Sequence, residues 1–209
     1  MGHVLAVLRA TSARDLVASR STRVFRSNDD GVTWKALTPT LDGSPISAIE
    51  VAAANSKTVY VATENGAFFR SMDGGETWSA NLAGGMPGVT ITRIATHPTN
   101  AKVVFVTLAN FGNSHVYMSG DAGAKWIDID GGKLPDVPHH AVLTRSDAPD
   151  EIWVCNDAGV HVSRNAGKSW QNATDNVPPA MVVDLVYHRT SKTLFAATYG
   201  RSIWTRPLG

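Results

Sequence analysis

SNDDGVTW at 27–34, SMDGGETW at 71–78, SGDAGAKW at 119–126 and SRNAGKSW at 163–170 are four versions of one eight-residue stretch. Their first residues stand 44, 48 and 44 positions apart in a chain of 209 residues. Self-similarity at such a period, between short β-patterned runs, signals a propeller in which each repeat supplies one four-stranded blade. VFR, FFR, VYM and VHV precede the four copies, and runs such as WKAL and WIDI follow them, so each copy reads as the turn of a hairpin.

The residue types suit that turn. Asp29, Asp73, Asp121 and Asn165 can accept hydrogen bonds from nearby backbone N–H groups. Gly31, Gly75, Gly123 and Gly167 can take the positive φ a tight turn requires. The hydroxyls of Ser27, Ser71, Ser119 and Ser163 can close local bonds. Trp34, Trp78, Trp126 and Trp170 can cover the hairpin with an apolar ring. All of these residues are expected to be structural. Calcium is not expected, since an EF-hand loop needs further oxygen ligands and a closing Glu. No cofactor or metal is expected elsewhere.

The pattern Ser-x-Asp-x-Gly-x-Thr-Trp resembles the Asp-box, or BNR repeat, of sialidases, sortilin-type receptors, xyloglucanase-type glycoside hydrolases and photosystem II assembly factors. The first two copies match at every defined position, the third has Lys125 in place of Thr, and the fourth has Asn165 and Ser169 in place of Asp and Thr. The terminal ATYGRSIW (197–204) is similar to the last blade of bacterial proteins built from these repeats.

Aligning the chain on the four turns predicts an all-β propeller in one domain, 1–209, with blades near 3–40, 46–83, 91–130, 140–175 and 181–207. Each blade runs from strand A at the hub to strand D at the rim. In the second, strand D is expected to begin at Thr77. The last blade has strands A to C only, which makes 19 strands. A closed, monomeric ring of five blades is the expectation. The alternative is an open arc that completes a larger ring by pairing with a second copy.

Composition narrows the partners. The net charge is +1 and no Lys/Arg stripe stands out, which argues against nucleic acid. No run approaches the length that spans a membrane, and no membrane partner is expected. HVLAVL (3–8) is too short for a signal-peptide core. The compartment stays open between cytoplasm and secretion with a leader removed. Cys155, on a strand, reads as a buried inert thiol. His139 and His140 read as loop or strand-edge residues, His97 as turn chemistry, and His115 and His161 as outward strand positions.

In a propeller the D–A and B–C connections share the face around the channel mouth, and loops on a rigid frame are where ligand sites concentrate. The candidates for binding are therefore Arg20, Glu64, Asn110, Phe111, Asn156, Asp157, Tyr199 and Arg201. Their mixture of rings, amides and charges suits a peptide or a sugar. Phe111, in the longest B–C loop, is the first to suspect of touching a partner. The expected function is non-catalytic recognition of a protein or glycan. A second reading, implied by the resemblance, is a sialidase-like hydrolase using Tyr199, Glu64, Asp157, Arg20 and Arg201. The Arg-Ile-Pro sequence that opens the sialidase fold is absent, and the chain is too short for the two propellers between which xyloglucanase-type enzymes hold their catalytic Asp pair. Further carboxylates on this face are Asp42, Asp130 and Asp136. A third reading is a structural half-propeller that assembles with itself.

Overall fold

The computed structural model describes residues 4–9, 16–20, 22–37, 41–175, 177 and 179–209, and of 4–9 and 16–20 the backbone alone. Eighteen strands and no helix occur among the described residues, in five antiparallel sheets. Sheet one holds β1 (Val4–Arg9), β2 (Leu16–Arg20), β3 (Arg23–Ser27) and β4 (Lys35–Ala36). Sheet two holds β5 (Ile46–Val51), β6 (Val59–Thr63) and β7 (Phe68–Ser71). Sheet three holds β8 (Ile91–His97), β9 (Asn100–Leu108), β10 (Val116–Ser119) and β11 (Ile127–Asp128). Sheet four holds β12 (His139–Arg145), β13 (Ala148–Asn156), β14 (Gly159–Ser163) and β15 (Gln171–Asn172). Sheet five holds β16 (Val182–His188), β17 (Thr193–Thr198) and β18 (Ile203–Pro207).

The first strands pack in chain order: β1 on β5, β5 on β8, β8 on β12, and β12 on β16. This is the expected propeller arrangement. Among the described residues β16 and β1 make no comparable contact, so the five sheets form an arc. Both faces of each inner sheet are apolar, because each packs on a neighbour. Phe105 and Val116 of sheet three meet Val142, Ile152 and Val154 of sheet four. Trp153 and Val160 of sheet four meet Leu185, Leu194 and Ala196 of sheet five. Burying a side chain such as Phe68, 0% exposed, stabilises by about 1.5–3 kcal/mol. On the far face of sheet five Val186, Phe195 and Ile203 lie at the end of the arc, where Val186 and Ile203 are exposed.

The four turns share one set of bonds. In the second, Ser71 Oγ donates to Asp73 Oδ1 at 2.7 Å and accepts from Gly75 N at 2.7 Å. Asp73 accepts from Thr77 N at 2.9 Å and from Thr77 Oγ1 at 2.6 Å. The first turn repeats these bonds, and the fourth keeps the same partners with one reversal, since Asn165 Nδ2 donates to Ser169 Oγ. In the third, Lys125 lacks the hydroxyl, and Asp121 keeps only the backbone bond of that pair. The Thr33 and Thr77 hydrogen bonds are the largest cause that holds the Asp29 carboxyl at about 2 and Asp73 well below the usual range.

The second, third and fourth turns also join their sheets to the one before. A Cβ on Gly75 would fall on Leu37, one on Gly123 on Phe68, and one on Gly167 on Ile129. Trp126 Nε1 donates to Leu82 O of sheet two at 2.8 Å, and Trp170 Nε1 to Ile129 O of sheet three at 2.9 Å. Sheet five has no such turn, and there Arg206 Nη1 donates to the corresponding carbonyl, Ala173 O, at 3.1 Å.

Sheet two departs from the expectation of a fourth strand near Thr77. The segment does run beside β7, with Ser79 N donating to Arg70 O at 2.9 Å and Leu82 N to Phe68 O at 2.7 Å. The return bonds, however, go to side chains. Arg70 N donates to Ser79 Oγ, and Phe68 N to Asn81 Oδ1. Short polar side chains that compete for backbone donors dissolve the ladder there. The total is therefore 18 strands rather than 19.

At the hub, burial raises Glu50 on β5 to about 7, against a bond from Thr96 and the charge of Arg93. Arg93 Nη2 pairs with Asp184 on β16 at 2.5 Å. Between about pH 4.5 and 7 the folded chain keeps a proton at Glu50 that the unfolded chain releases, so stability falls as pH rises through that window. Glu50→Gln is expected to raise unfolding free energy by about 1–3 kcal/mol at pH 8 and to leave it unchanged at pH 4, measured by urea titration. An equal effect at both pH values would reject the assignment.

The turn glycine gives a second expectation. Gly123 has φ +90, and a Cβ would lie 2.8 Å from Phe68 Cε1. Gly123→Ala should cost about 1–3 kcal/mol and lower Tm by several degrees. Gly120→Ala, with nothing within 4 Å of its Cβ, should leave Tm almost unchanged.

Candidate binding face

One backbone bond recurs between the loops of each later sheet. Glu64 N donates to Pro45 O, Ala109 N to Thr90 O, Asp157 N to Pro138 O, and Tyr199 N to Met181 O. In each case the residue after the second strand meets the residues before the first. The B–C and D–A loops therefore share one face.

On that face the loop of sheet three is tied from both sides. Gly112 N donates to Asp136 Oδ1 at 2.7 Å, and Ser114 Oγ to Asp128 Oδ2 at 2.6 Å. Phe111, next to the first of these ties, has 65% of its surface exposed. Beside the loop lies a cavity of about 270 Å³, whose lining includes Asn113, His115, Asp130, Leu134 and Asp136. Asp130 is buried and accepts the backbone N–H groups of His115 and Leu134. Its Oδ2 also lies 2.8 Å from His115 Nδ1. His115 Nε2 lies 3.3 Å from Asp136 Oδ1 without the geometry of a hydrogen bond, and neither polar atom of the Asn110 amide has a hydrogen-bond partner. Buried polar atoms in that condition are costly unless water or a ligand reaches them.

A polar layer continues inward from this wall. His139 stacks on His115 with ring centroids 4.7 Å apart. Its Nδ1–H donates to Val137 O at 2.8 Å, so Nε2 accepts from Asn156 Nδ2 at 3.0 Å. Asn156 Nδ2 also approaches His161 Nδ1 at 3.4 Å, and its Oδ1 accepts from Ala158 N. Burial, as the main cause, lowers His139 to about 4 and lowers His161 as well. From pH 6.5 down toward 4 the unfolded chain binds a proton that folded His139 refuses. Stability contributed there is complete above pH 6.5 and is lost on acidification, a slope opposite to that of Glu50.

The sequence expectations fare unevenly in place. Phe111 and Tyr199 are exposed, at 65% and 76%, and Glu64 and Arg201 are exposed too. Asp157 binds His140 Nε2 at 2.7 Å. Asn156 is 0% exposed, with its amide engaged by the histidine layer. The side chain of Arg20 lies outside the described residues, as do residues 38–40 of the first D–A segment. His115 and His161, expected to point outward, are buried, because both flanks of an inner sheet are covered and neither face is outward. His139 opens β12, in line with the strand-edge expectation, and is fully buried. Sequence reasoning missed the layer these residues form with Asp130. The available signal was polar residues recurring where sheets three and four meet. Cys155 is fully buried, and burial pushes its thiol far up, as expected of an inert cysteine. No cluster of metal-ligating side chains occurs among the described residues.

Comparison with solved structures supports the fold. The chain superposes on the GH74 xyloglucanase from Xanthomonas campestris with a TM-score of 0.78 at 15% identity, covering 98% of this chain and 37% of that one. On YCF48 from Cyanidioschyzon merolae the TM-score is 0.72 at 13% identity, with 98% and 69% covered. A structure of YCF48 bound to D1 peptide matches with a TM-score of 0.50 at 15% identity, covering 100% and 94%. The chain thus spans about a third of the length of the GH74 enzymes it matches. At these identities the likeness is one of fold. No curated protein matches in a sequence search. The family model described as sortilin, neurotensin receptor 3, matches residues 22–129, just over half of the chain. With that match added to the repeated turns and the arc of sheets they join, the chain belongs to the Sortilin-Vps10 family.

Proposed function

We propose that the chain is a binding module that recognises an extended polypeptide on the face formed by its B–C and D–A loops. The observation that carries this reading is Phe111, an exposed aromatic ring on a loop pinned by Asp136 and Asp128. An exposed ring on a rigid base supplies contact area with little ordering cost, the usual anchor of a protein interface. The cavity beside it offers polar groups to the same ligand, among them the Asp136 carboxylate and the His115 ring 3.3 Å from it. The peptide complex of YCF48, a protein of similar fold, supports a polypeptide partner.

A hydrolytic reading has less support. It needs a carboxylate pair free to act across a bond. Asp42 is engaged by Ser44 and Thr63, Asp130 by its own loop and His115, and Asp157 by His140.

The test is selection of peptides from a displayed library on the immobilised chain, followed by titration of the selected peptide. Phe111→Ala should weaken binding at least tenfold with Tm unchanged, since the ring is largely in solvent. Undiminished binding by that variant would reject the proposal. A glycan-array signal that Phe111→Ala removes would move the ligand class to sugars.

A further inference from the structure

The chain contains eleven asparagines, and one of them, Asn172, is followed two residues later by a hydroxyl residue, Thr174, with Ala173 between. Asn-x-Ser/Thr, with any residue but proline in the middle, is the pattern at which N-linked oligosaccharides are attached. So short a pattern also arises by chance, so its place in the fold has to decide.

Asn172 ends β15, the outermost strand of sheet four, which has a neighbour only on its β14 side, and its side chain is exposed. Its amide is half committed. Oδ1 accepts Thr174 N at 2.9 Å, a turn that fixes the side chain, whereas Nδ2 forms no hydrogen bond among the described residues. An N-linked sugar replaces one hydrogen on Nδ2 and leaves Oδ1 as it was, so the bond to Thr174 survives attachment. The other two residues of the triplet anchor it to β14. Ala173 is buried and its N donates to Val160 O at 2.8 Å, while Thr174 Oγ1 accepts Val160 N at 3.1 Å. With Ala173 turned inward, the group on Asn172 points away from the core. Asn165, the other asparagine of this hairpin, has neither property. Both of its amide atoms are bonded, and Gly167 stands two residues on.

We propose that Asn172 is an acceptor for an N-linked oligosaccharide, carried on the outer edge of sheet four. In the transfer, Nδ2 bonds to the anomeric carbon of an oligosaccharide delivered as its polyprenyl diphosphate. The bond from that carbon to the diphosphate breaks with its electron pair on the leaving oxygen, and the amide proton is lost to solvent. A bulky group at this position shields the outward backbone groups of Gln171 and Asn172, an edge that would otherwise be open to pairing with another chain. The site is separate from the loop face of Phe111 and does not depend on it.

The test is mass spectrometry of the full chain after passage through the secretory pathway of cultured animal cells behind an added, cleavable leader. Most molecules should gain the mass of an N-linked oligosaccharide, and peptide-N-glycosidase should remove it and convert residue 172 to aspartate. Asn172→Gln should abolish the gain. Thr174→Ser, which keeps the hydroxyl, should retain it, and Phe111→Ala should leave occupancy unchanged. Should the chain be held inside the cells, the same measurement on the chain from their membrane-enclosed fraction decides. The proposal fails if the chain stays unmodified in that compartment, if the sugar sits at another residue, or if Asn172→Gln still carries it.

Discussion

Every junction that carries the repeated turn rests on a missing side chain. Gly75, Gly123 and Gly167 lie so close to the preceding sheet that a Cβ would overlap Leu37, Phe68 or Ile129. Their φ angles of +98, +90 and +85 suit glycine on separate grounds. One residue type thus meets two demands, one from the backbone of the turn and one from the packing between sheets. The Ser–Asp–Thr bonds hold the glycine where both can be met. Ser119, Ser163 and Ser71 are buried to the last one per cent or beyond, so their hydroxyls act in an environment where an unmade bond is costly.

This arrangement makes the chain a series of near-identical joints, with stability passed from neighbour to neighbour. The joint to sheet five is the exception. It lacks the glycine and the tryptophan, and a different set of contacts replaces them. Arg206 reaches Ala173 O and pairs with Asp175 while its guanidinium lies 5.7 Å from the Trp153 ring. On the opposite side Arg145 pairs with Asp147 and Glu151 and stacks on Tyr187 at 4.6 Å. Two arginines thus clamp a sheet that elsewhere an indole would hold. A guanidinium reaches a carbonyl and a carboxylate together.

The sheets and their order were readable because the period and the turn chemistry act within a few residues of each other. SMDGGETW states its own hydrogen bonds, and the spacing between copies sets the rest. The fourth strand of sheet two was not readable, since whether Ser79 and Asn81 offer side-chain or backbone acceptors depends on how the segment lies against β7. Alternation misled at His115 and His161 for a related reason. Period-two patterning separates two faces of a strand, and in this fold both faces are interior. Phe111 and Tyr199 were readable as exposed because a loop position limits what can cover them. Asn156 was not, because its burial comes from His139 and His161, which approach it from β12 and β14.

Buried polarity is concentrated between sheets three and four, and its placement has a physical consequence. Asp130, His115, His139, Asn156 and His161 replace apolar packing on the loop side of that junction. Hydrogen bonds with fixed donors and acceptors permit fewer packing arrangements than methyl groups do, so the loops above them are held in register. The layer is complete at its inner end, where Asn156 is satisfied by three partners. At its outer end it is looser, with His115 Nε2 3.3 Å from Asp136 Oδ1 and no hydrogen bond formed there. A network built only for stability would close at both ends, since a half-satisfied one is worse than an apolar core. His115 lines the cavity on the loop side, so the outer end of the layer lies next to the loop that carries Phe111.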